Sequence, residues 1–285
     1  MKKKLSTAVL VLVLLVGLGF LLYPTVSDYL KTLAYNRAIE NFKSSVVALD
    51  DETYEDILAE AAAYNEKLLA IGKIRTSLKG EELAAYERQM VIDESGVMGY
   101  VVIPKIHVSL PIYHGTSDAV LQSGVGHLEG SSLPIGGAGT HTVLSAHRGL
   151  PSAKLFTNID QLAVGDTFTV RVLREVLTYE VDDVRVVLPS KVSALKVEKD
   201  GDYCTLLTCT PYGVNSHRLL VRGRRIPTPA GETAQSFDSL TTAQSQKEYW
   251  PLFAVGAAAV LLVGVAVGVG IAKKKKRRAK SAAEK

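Results

Sequence analysis

The sequence predicts a mainly β domain, a barrel or a sandwich, preceded by a helical region and flanked by two membrane-spanning segments. From Met98 onward, short β-rich runs alternate with glycine, proline and Asx residues, which is typical of strands joined by turns. Residues 26–90 lack proline and carry apolar residues at helical spacing. An apolar run lies near each end of the 285-residue chain.

The first apolar run, residues 5–23, follows a basic tail at residues 1–4 and predicts a transmembrane anchor. Its length is close to the roughly 20 residues that a spanning helix needs. A cleaved signal peptide is the alternative. The bulky residues at the end of the run do not form a small-x-small cleavage site, so an uncleaved anchor is favoured.

The second apolar run, residues 250–272, begins at Trp250 and has no charged residue. It is followed by a basic tail at residues 273–285, which the positive-inside rule places in the cytoplasm. A transmembrane helix is favoured over a buried core helix. Because both spans carry lysines at their outer ends, we expect both termini in the cytoplasm and residues 24–249 outside the cell.

The charge distribution argues against a nucleic-acid partner. The chain has 33 Lys and Arg residues against 29 Asp and Glu residues, but the two basic tails hold eleven of the basic residues and one acidic residue. The segment between the spans is therefore mildly acidic. A phosphate backbone would require a basic face.

Within the external segment, the pattern predicts a helical region at residues 24–96, a β domain at 97–226 and a linker at 227–249. Asp50 and Asp51, with Glu52 just behind them, are expected to form the N-terminal cap of the second helix, and Gly72 to interrupt the helical pattern. The linker is rich in Thr, Ser, Gln and Ala, which is typical of a flexible tether.

The two cysteines, Cys204 and Cys209, are not expected to form a disulfide. In a strand, five residues span about 16 Å and place the two side chains on opposite faces, whereas bridged Cα atoms lie within about 7 Å. Cys204 fits a small buried apolar residue in mid-strand. Cys209 ends a strand just before a turn containing Pro211 and Gly213, where a side chain could meet substrate.

Cysteine chemistry also needs an oxyanion donor and a general acid. A hairpin could bring Arg218 beside Cys209, and its guanidinium could stabilise an oxyanion or a thiolate. For the acid, the residues alone leave His147, His141 and His217 open. Two other interpretations are a metal site of His141, His147 and Cys209, and a membrane-tethered binding protein without catalysis. The metal site lacks the close paired spacing of common zinc sites.

Several segments between residues 97 and 226 form a joint pattern: Val97–Tyr100, Ile103–Ile106, Leu110–Thr116, Gly126–Gly130 with Ser132–Pro134, Ala146–Phe156, Thr208–Gly213 and His217–Gly223. By these segments, residues 97–226 resemble the catalytic domain of class C, pilus-building sortases. The resemblance implies a closed β-barrel, no cofactor or metal, and His147, Cys209 and Arg218 as the catalytic residues.

The resemblance further implies that Cys209 cleaves a Leu-Pro-x-Thr-Gly-like sorting signal on a pilin or another surface protein. The resulting thioester is passed to a lysine of the next pilin. A sortase that anchors surface proteins to a cell-wall peptide amine is the alternative, as is a protease that uses water.

One part of the class C pattern is missing. Many members cover the active site with an Asp-Pro-aromatic lid in the segment before the barrel, but no proline lies between Pro24 and Pro104. Either residues 93–95 form a shorter cover, or the groove stands open.

Overall fold

The structure, a computed structural model, describes residues 2–72, 74–75, 77–191 and 195–229, together with positions 254 and 256. The predicted linker from residue 230 onward, the second apolar run apart from those two positions, and the C-terminal basic tail lie outside the described residues.

Eight strands form a closed barrel, which confirms the mainly β fold implied by the resemblance. They are β1 (Val97–Ile103), β2 (Val108–His114), β3 (Val125–His127), β4 (Thr140–Ser145), β5 (Thr167–Val172), β6 (Glu175–Val187), β7 (Asp202–Thr210) and β8 (His217–Ile226). Their order is β1-β2-β3-β4-β7-β8-β6-β5, and β5 pairs with β1 to close the barrel. Neighbours are antiparallel except for β2 with β3 and β4 with β7.

The side chains of β7 point alternately to the interior of the barrel and to its outer face. Cys204, Leu206 and Thr208 are at most 1% exposed, and the first two belong to the main core inside the barrel. Leu207 and Cys209 are partly exposed. Because residues two apart share a face of a strand, Cys209 lies on the outer face, at the end of β7.

Helix α1 (Lys2–Ala48) contains the first apolar run and continues beyond it. Pro24 lies inside the helix, although proline removes a backbone donor and crowds the preceding turn. Within the described residues, Leu12–Ala48 is the one helical segment long and apolar enough to cross a bilayer. Phe20 and Leu21 are mostly exposed, as lipid-facing side chains would be.

The second half of α1 packs against the barrel. Ile39, Phe42 and Val46 recur at intervals of three and four residues and are buried with Tyr100 and Val102 of β1. The Phe42 and Tyr100 rings meet edge to face, with their centroids 6.2 Å apart. The helix that carries the apolar run is thus fastened to the domain by an apolar stripe.

Two shorter helices, α2 (Asp51–Ile71) and α3 (Glu81–Glu87), complete the region before the barrel. The carboxylate of Asp50 accepts a hydrogen bond from Thr53 N at 2.7 Å, which confirms the predicted cap. Gly72 ends α2 with a φ of +70°, a left-handed conformation that glycine adopts without steric cost.

The buried histidine of β3, His127, connects α3 to the barrel. Its Nε2–H donates to Ser132 O at 2.8 Å, while Nδ1 faces the hydroxyl of Tyr86, at 2.9 Å. The imidazole is fully buried, and both ring nitrogens have partners in the neutral form. Burial lowers the pKa of His127 from its usual 6.5 to about 4, because desolvation penalises the charged ring.

This shift predicts that acid destabilises the protein. Between pH 6.5 and 4 the unfolded chain binds a proton at residue 127 that the folded chain does not, so stability falls as the pH falls. Between pH 7.5 and 4 the loss from this residue is about 3 kcal/mol. Denaturant unfolding at several pH values should therefore show that the free energy of unfolding depends less on pH in His127→Gln than in wild type. His217→Gln, at a partly exposed position, is the control. An equal pH dependence of stability in wild type and His127→Gln would contradict the lowered pKa of His127.

Candidate active site

Cys209 and Arg218 lie opposite each other on neighbouring strands. They form a pair in the antiparallel register of β7 and β8, one step before the turn. Directly opposite residues on one face have Cβ atoms about 5 Å apart. The turn between the strands contains Gly213, with a φ of +73°. The predicted hairpin is confirmed, and it brings the thiol and the guanidinium to the same end of the barrel.

His147 reaches this end from β4, which runs parallel to β7. The last pair of this ladder joins Ser145 to Leu207, so His147 and Cys209 each lie two residues beyond it. The side chain of Thr208 extends the connection by donating to Ala146 O at 2.7 Å. His147 and Cys209 are thereby held at matching positions just beyond the last pair of this ladder.

A groove of about 330 Å³ runs along the outer face of these strands. His147, Cys209 and Arg218 all line it. Its described lining includes two cationic side chains, Lys191 and Arg218, and no carboxylate. The remaining lining residues are mainly apolar: Thr116, Leu121, Leu128, Ser145, Ala146, Val187, Leu188, Pro189, Leu195, Leu207, Thr208 and Leu220. Such a groove suits an extended peptide that has apolar side chains and no positive charge.

Arg218 is held by backbone carbonyls. Its Nη1 donates to Asn215 O at 3.2 Å and to His217 O at 3.0 Å. Among the ion pairs of the described residues, Arg218 has no carboxylate partner. Since a guanidinium carries five N–H donors, the remaining donors are available to an oxygen of a bound substrate. The arrangement can stabilise an oxyanion formed beside Cys209.

The two cysteines are both free thiols, as the sequence predicts, and their surroundings differ. Cys204 is completely buried, and burial raises the pKa of its thiol well above the usual value. A thiol that stays protonated is a poor nucleophile. Cys209 is partly exposed and lines the groove. Of the two, Cys209 is the thiol that a substrate can reach.

The other histidine candidates do not line the groove. His141 is 1% exposed, and its ring nitrogens contact Lys196 O at 2.9 Å and Thr205 Oγ1 at 2.7 Å. The Nδ1 of His217 contacts the hydroxyl of its neighbour Ser216. Within the described residues, no group of three or more His, Cys, Asp and Glu side chains is arranged to hold a metal ion. Of the three histidines that the sequence leaves open as the general acid, His147 is the one that lines the groove.

Helix α1 contacts the loop that follows His147. The buried carboxylate of Asp28 accepts from Lys154 N at 2.7 Å, and Ser27 Oγ donates to Ser152 O at 3.1 Å. The loop is closed at its base by Phe156 N, which donates to His147 O at 3.1 Å. The helix with the membrane candidate therefore braces the segment that carries His147.

The sequence gives little indication of the second wall of the groove. This wall comes from the connection after β6, including Leu188, Pro189 and Leu195. Ile74, from the segment between α2 and α3, packs against the cluster that contains Leu195. Residues 93–95 do not line the groove; Asp93 instead accepts from Ser45 of α1 at 2.5 Å. Their suggested role as a cover is not supported.

Comparison with known proteins places the chain in a family. A profile of the Sortase domain matches residues 101–226. Among curated proteins, sortase D of Bacillus subtilis is 30% identical over 45% of this chain and 63% of its own length, so the match spans just under two thirds of that relative. Sortase A of Listeria monocytogenes is 23% identical over 77% of this chain and 90% of its own length.

Solved structures give matches at higher identity. Sortase C1 of Streptococcus agalactiae is 50% identical, with a TM-score of 0.65, over 68% of this chain and all of that one. Sortase C-1 of Actinomyces oris is 47% identical, with a TM-score of 0.58, over 61% of this chain and 99% of that one. A closed barrel with a groove-lining cysteine, and this similarity to sortases C, lead to one conclusion: the chain belongs to the class C branch of the sortase family of cysteine transpeptidases.

Proposed function

We propose that this chain is a pilin-joining transpeptidase in which Cys209 is the nucleophile, Arg218 the oxyanion donor and His147 the general acid. The convergence of these three side chains on one groove carries the proposal. The similarity to sortases C supports it, because one of these enzymes, 42% identical to this chain, is named sortase C1 of GBS Pilus Island 1.

In the first half-reaction, the Cys209 thiolate attacks the threonine carbonyl of a Leu-Pro-x-Thr-Gly-like sorting signal. A new C–S bond forms, and the carbonyl oxygen becomes an oxyanion that the Arg218 guanidinium stabilises. The C–N bond to glycine then breaks as the imidazolium of His147 gives its proton to the departing amine. The product is a thioester between the pilin and Cys209, with a neutral His147.

In the second half-reaction, a lysine amine of the next pilin attacks the thioester carbonyl. His147 takes up the proton that the amine loses, and the C–S bond breaks to release the Cys209 thiolate. An isopeptide bond joins the two subunits. The histidine and the thiol return to their starting protonation states, so the cycle balances without an oxidant, a metal or a nucleotide.

We further propose the two-span topology, with anchors at residues 5–23 and 250–272 and both termini in the cytoplasm. The external segment would then consist of the helical region 24–96, the catalytic barrel 97–226 and the linker 227–249. The described helix α1 supports the first anchor, and the hydropathy of residues 250–272 supports the second. Anchoring raises the effective concentration of the enzyme for pilins held at the same membrane.

Attachment of surface proteins to a cell-wall peptide is the second candidate. Four curated sortase A and D relatives show that this chain has homologues outside the C group, at 23–30% identity. The residues around Cys209 act on the carbonyl side of the reaction and therefore do not select the amine. The higher identity to sortases C favours the lysine acceptor.

A competition between acceptors tests the proposal. The purified external segment is incubated with a sorting-signal peptide and equal amounts of pilin and wall-peptide amine, and the products are identified by mass spectrometry. We expect an isopeptide bond to a pilin lysine as the main product. Joining to the wall peptide alone would contradict the pilin assignment, and hydrolysis alone would identify a protease.

A further inference from the structure

Two side-chain hydrogen bonds connect the neighbours of Cys209 to the neighbours of His147. On one side, Thr208 Oγ1 donates to Ala146 O at 2.7 Å. On the other, Arg148 Nη1 donates to Thr210 Oγ1 at 3.2 Å. The parallel ladder between β4 and β7 ends at the pair Ser145 and Leu207, and the next backbone hydrogen bond runs from Ala146 N to Leu207 O at 3.2 Å. Beyond that bond, the two side-chain hydrogen bonds are the described contacts that hold the segments at His147 and Cys209 together.

Arg148 is well placed to fix the distance between these two segments. Its side chain is only 10% exposed, and its Nη2 forms an ion pair with Asp160 of the 3-10 turn Ile159–Gln161. A guanidinium bonded at both terminal nitrogens has little freedom to rotate, because its donors form a rigid planar fork. Asp160 thus sets the orientation of Arg148, and Arg148 in turn holds the hydroxyl of Thr210.

We propose that Arg148 is a positioning residue that holds the imidazole of His147 and the thiol of Cys209 at the separation needed for amide cleavage. The inference rests on the proposed function, because it assumes that His147 protonates the departing amine. Arg148 follows His147 directly, and Thr210 follows Cys209 directly, so the Arg148–Thr210 bond connects the backbone at the two reacting groups. Misplacement of about 1 Å between catalytic groups can cost on the order of a hundredfold in rate.

The test compares two sorting-signal peptides that differ only at the scissile bond, one with the Thr-Gly amide and one with a thioester. An amide nitrogen must be protonated to leave. A thiolate leaves without protonation, because the pKa of its thiol is about 8.5. His147 also takes part in the second half-reaction with either peptide, so the rate compared is release of the leaving group in a single turnover. If Arg148 acts by positioning His147, a variant that breaks the Arg148–Thr210 bond should slow this release from the amide and leave it unchanged for the thioester.

Thr210→Val removes the hydroxyl and keeps the side-chain shape, and Thr210→Ser restores the hydroxyl. We expect Thr210→Val to lower the single-turnover rate of leaving-group release from the amide by roughly tenfold to a hundredfold, with peptide affinity and release from the thioester unchanged. Thr210→Ser should recover most of the wild-type rate. Asp160→Asn, which leaves Arg148 and Thr210 in place, should give a smaller loss of the same kind.

Arg174→Ala is the matched control, because Arg174 also donates to a carboxylate, that of Asp51, and to a second acceptor, Leu49 O. Arg174 is not among the described residues that line the groove, so its removal should leave both release rates unchanged. Release from the amide at the wild-type rate in Thr210→Val, or equal losses for amide and thioester, would overturn the positioning role. A wild-type protein inactive on both peptides would instead refute the proposed function.

Discussion

Cys209→Ala is expected to abolish both cleavage of a sorting-signal peptide and transfer to an amine, with a loss of roughly 10⁴-fold or more. The reason is chemical: alanine cannot form the thioester, and neither Arg218 nor His147 can replace a nucleophile. The expected result applies equally to the amide and the thioester peptide, since both must be attacked by the thiol. Peptide turnover followed by chromatography measures both rates.

Cys204→Ala is the control for the loss of a thiol as such. Cys204 is 0% exposed inside the barrel, so its replacement should lower stability by about 1 kcal/mol and leave turnover nearly unchanged. Comparable activity of Cys209→Ala and wild type would remove the cysteine mechanism. Loss of activity in Cys204→Ala but not in Cys209→Ala would show that Cys204 is the nucleophile.

The second large effect is expected for His147→Ala. General acid catalysis contributes on the order of 10²–10⁴-fold, and the departing glycine amine depends on it, so release of this amine in a single turnover should slow by that factor. Release of the leaving group from the thioester peptide should be nearly unaffected, because it needs no proton. Measuring the two single-turnover rates side by side separates this loss from a folding defect.

His217→Ala provides the matched histidine control. His217 lies at the start of β8, directly opposite Thr210 in the register, yet its side chain is not part of the described groove lining. Its replacement should change turnover by less than about twofold, within the range of ordinary surface substitutions. An amide-specific loss in His217→Ala and not in His147→Ala would exchange the roles assigned to the two residues.

Much of the local structure is predictable from the sequence because it depends on neighbouring residues. The cap at Asp50, the end of a helix at Gly72 and the hairpin that pairs Cys209 with Arg218 all follow from short-range patterns. The opposite faces of Cys204 and Cys209 follow from the two-residue period of a strand.

Other features depend on contacts between distant segments and could not be predicted in the same way. Periodicity does not show that β4 runs parallel to β7, which places His147 beside Cys209 and leaves His141 buried. Nor does it place Leu195, from the connection after β6, on the far wall of the groove. The first fact comes from the strand order of the barrel and the second from packing of a connection against its strands, and residue patterns alone specify neither.

In the N-terminal region, the proposed boundary between the first span and the external segment, at residues 23 and 24, lies inside the continuous helix α1, Lys2–Ala48. Periodicity predicts helices in residues 26–90, but it does not show that the first of them continues from the apolar run through Pro24. Apolar packing of Ile39, Phe42 and Val46 on the barrel stabilises the helix beyond the proline. This packing joins distant segments, so local residue patterns do not predict it.

The central claim is that Cys209 carries the acyl group, and its most direct test is intact-mass and peptide mass spectrometry of the purified external segment after incubation with a sorting-signal peptide. We expect a thioester adduct with the mass of the signal up to its threonine, located on Cys209 and released by a lysine amine. An adduct on another residue, or none while the peptide is turned over, would contradict that claim.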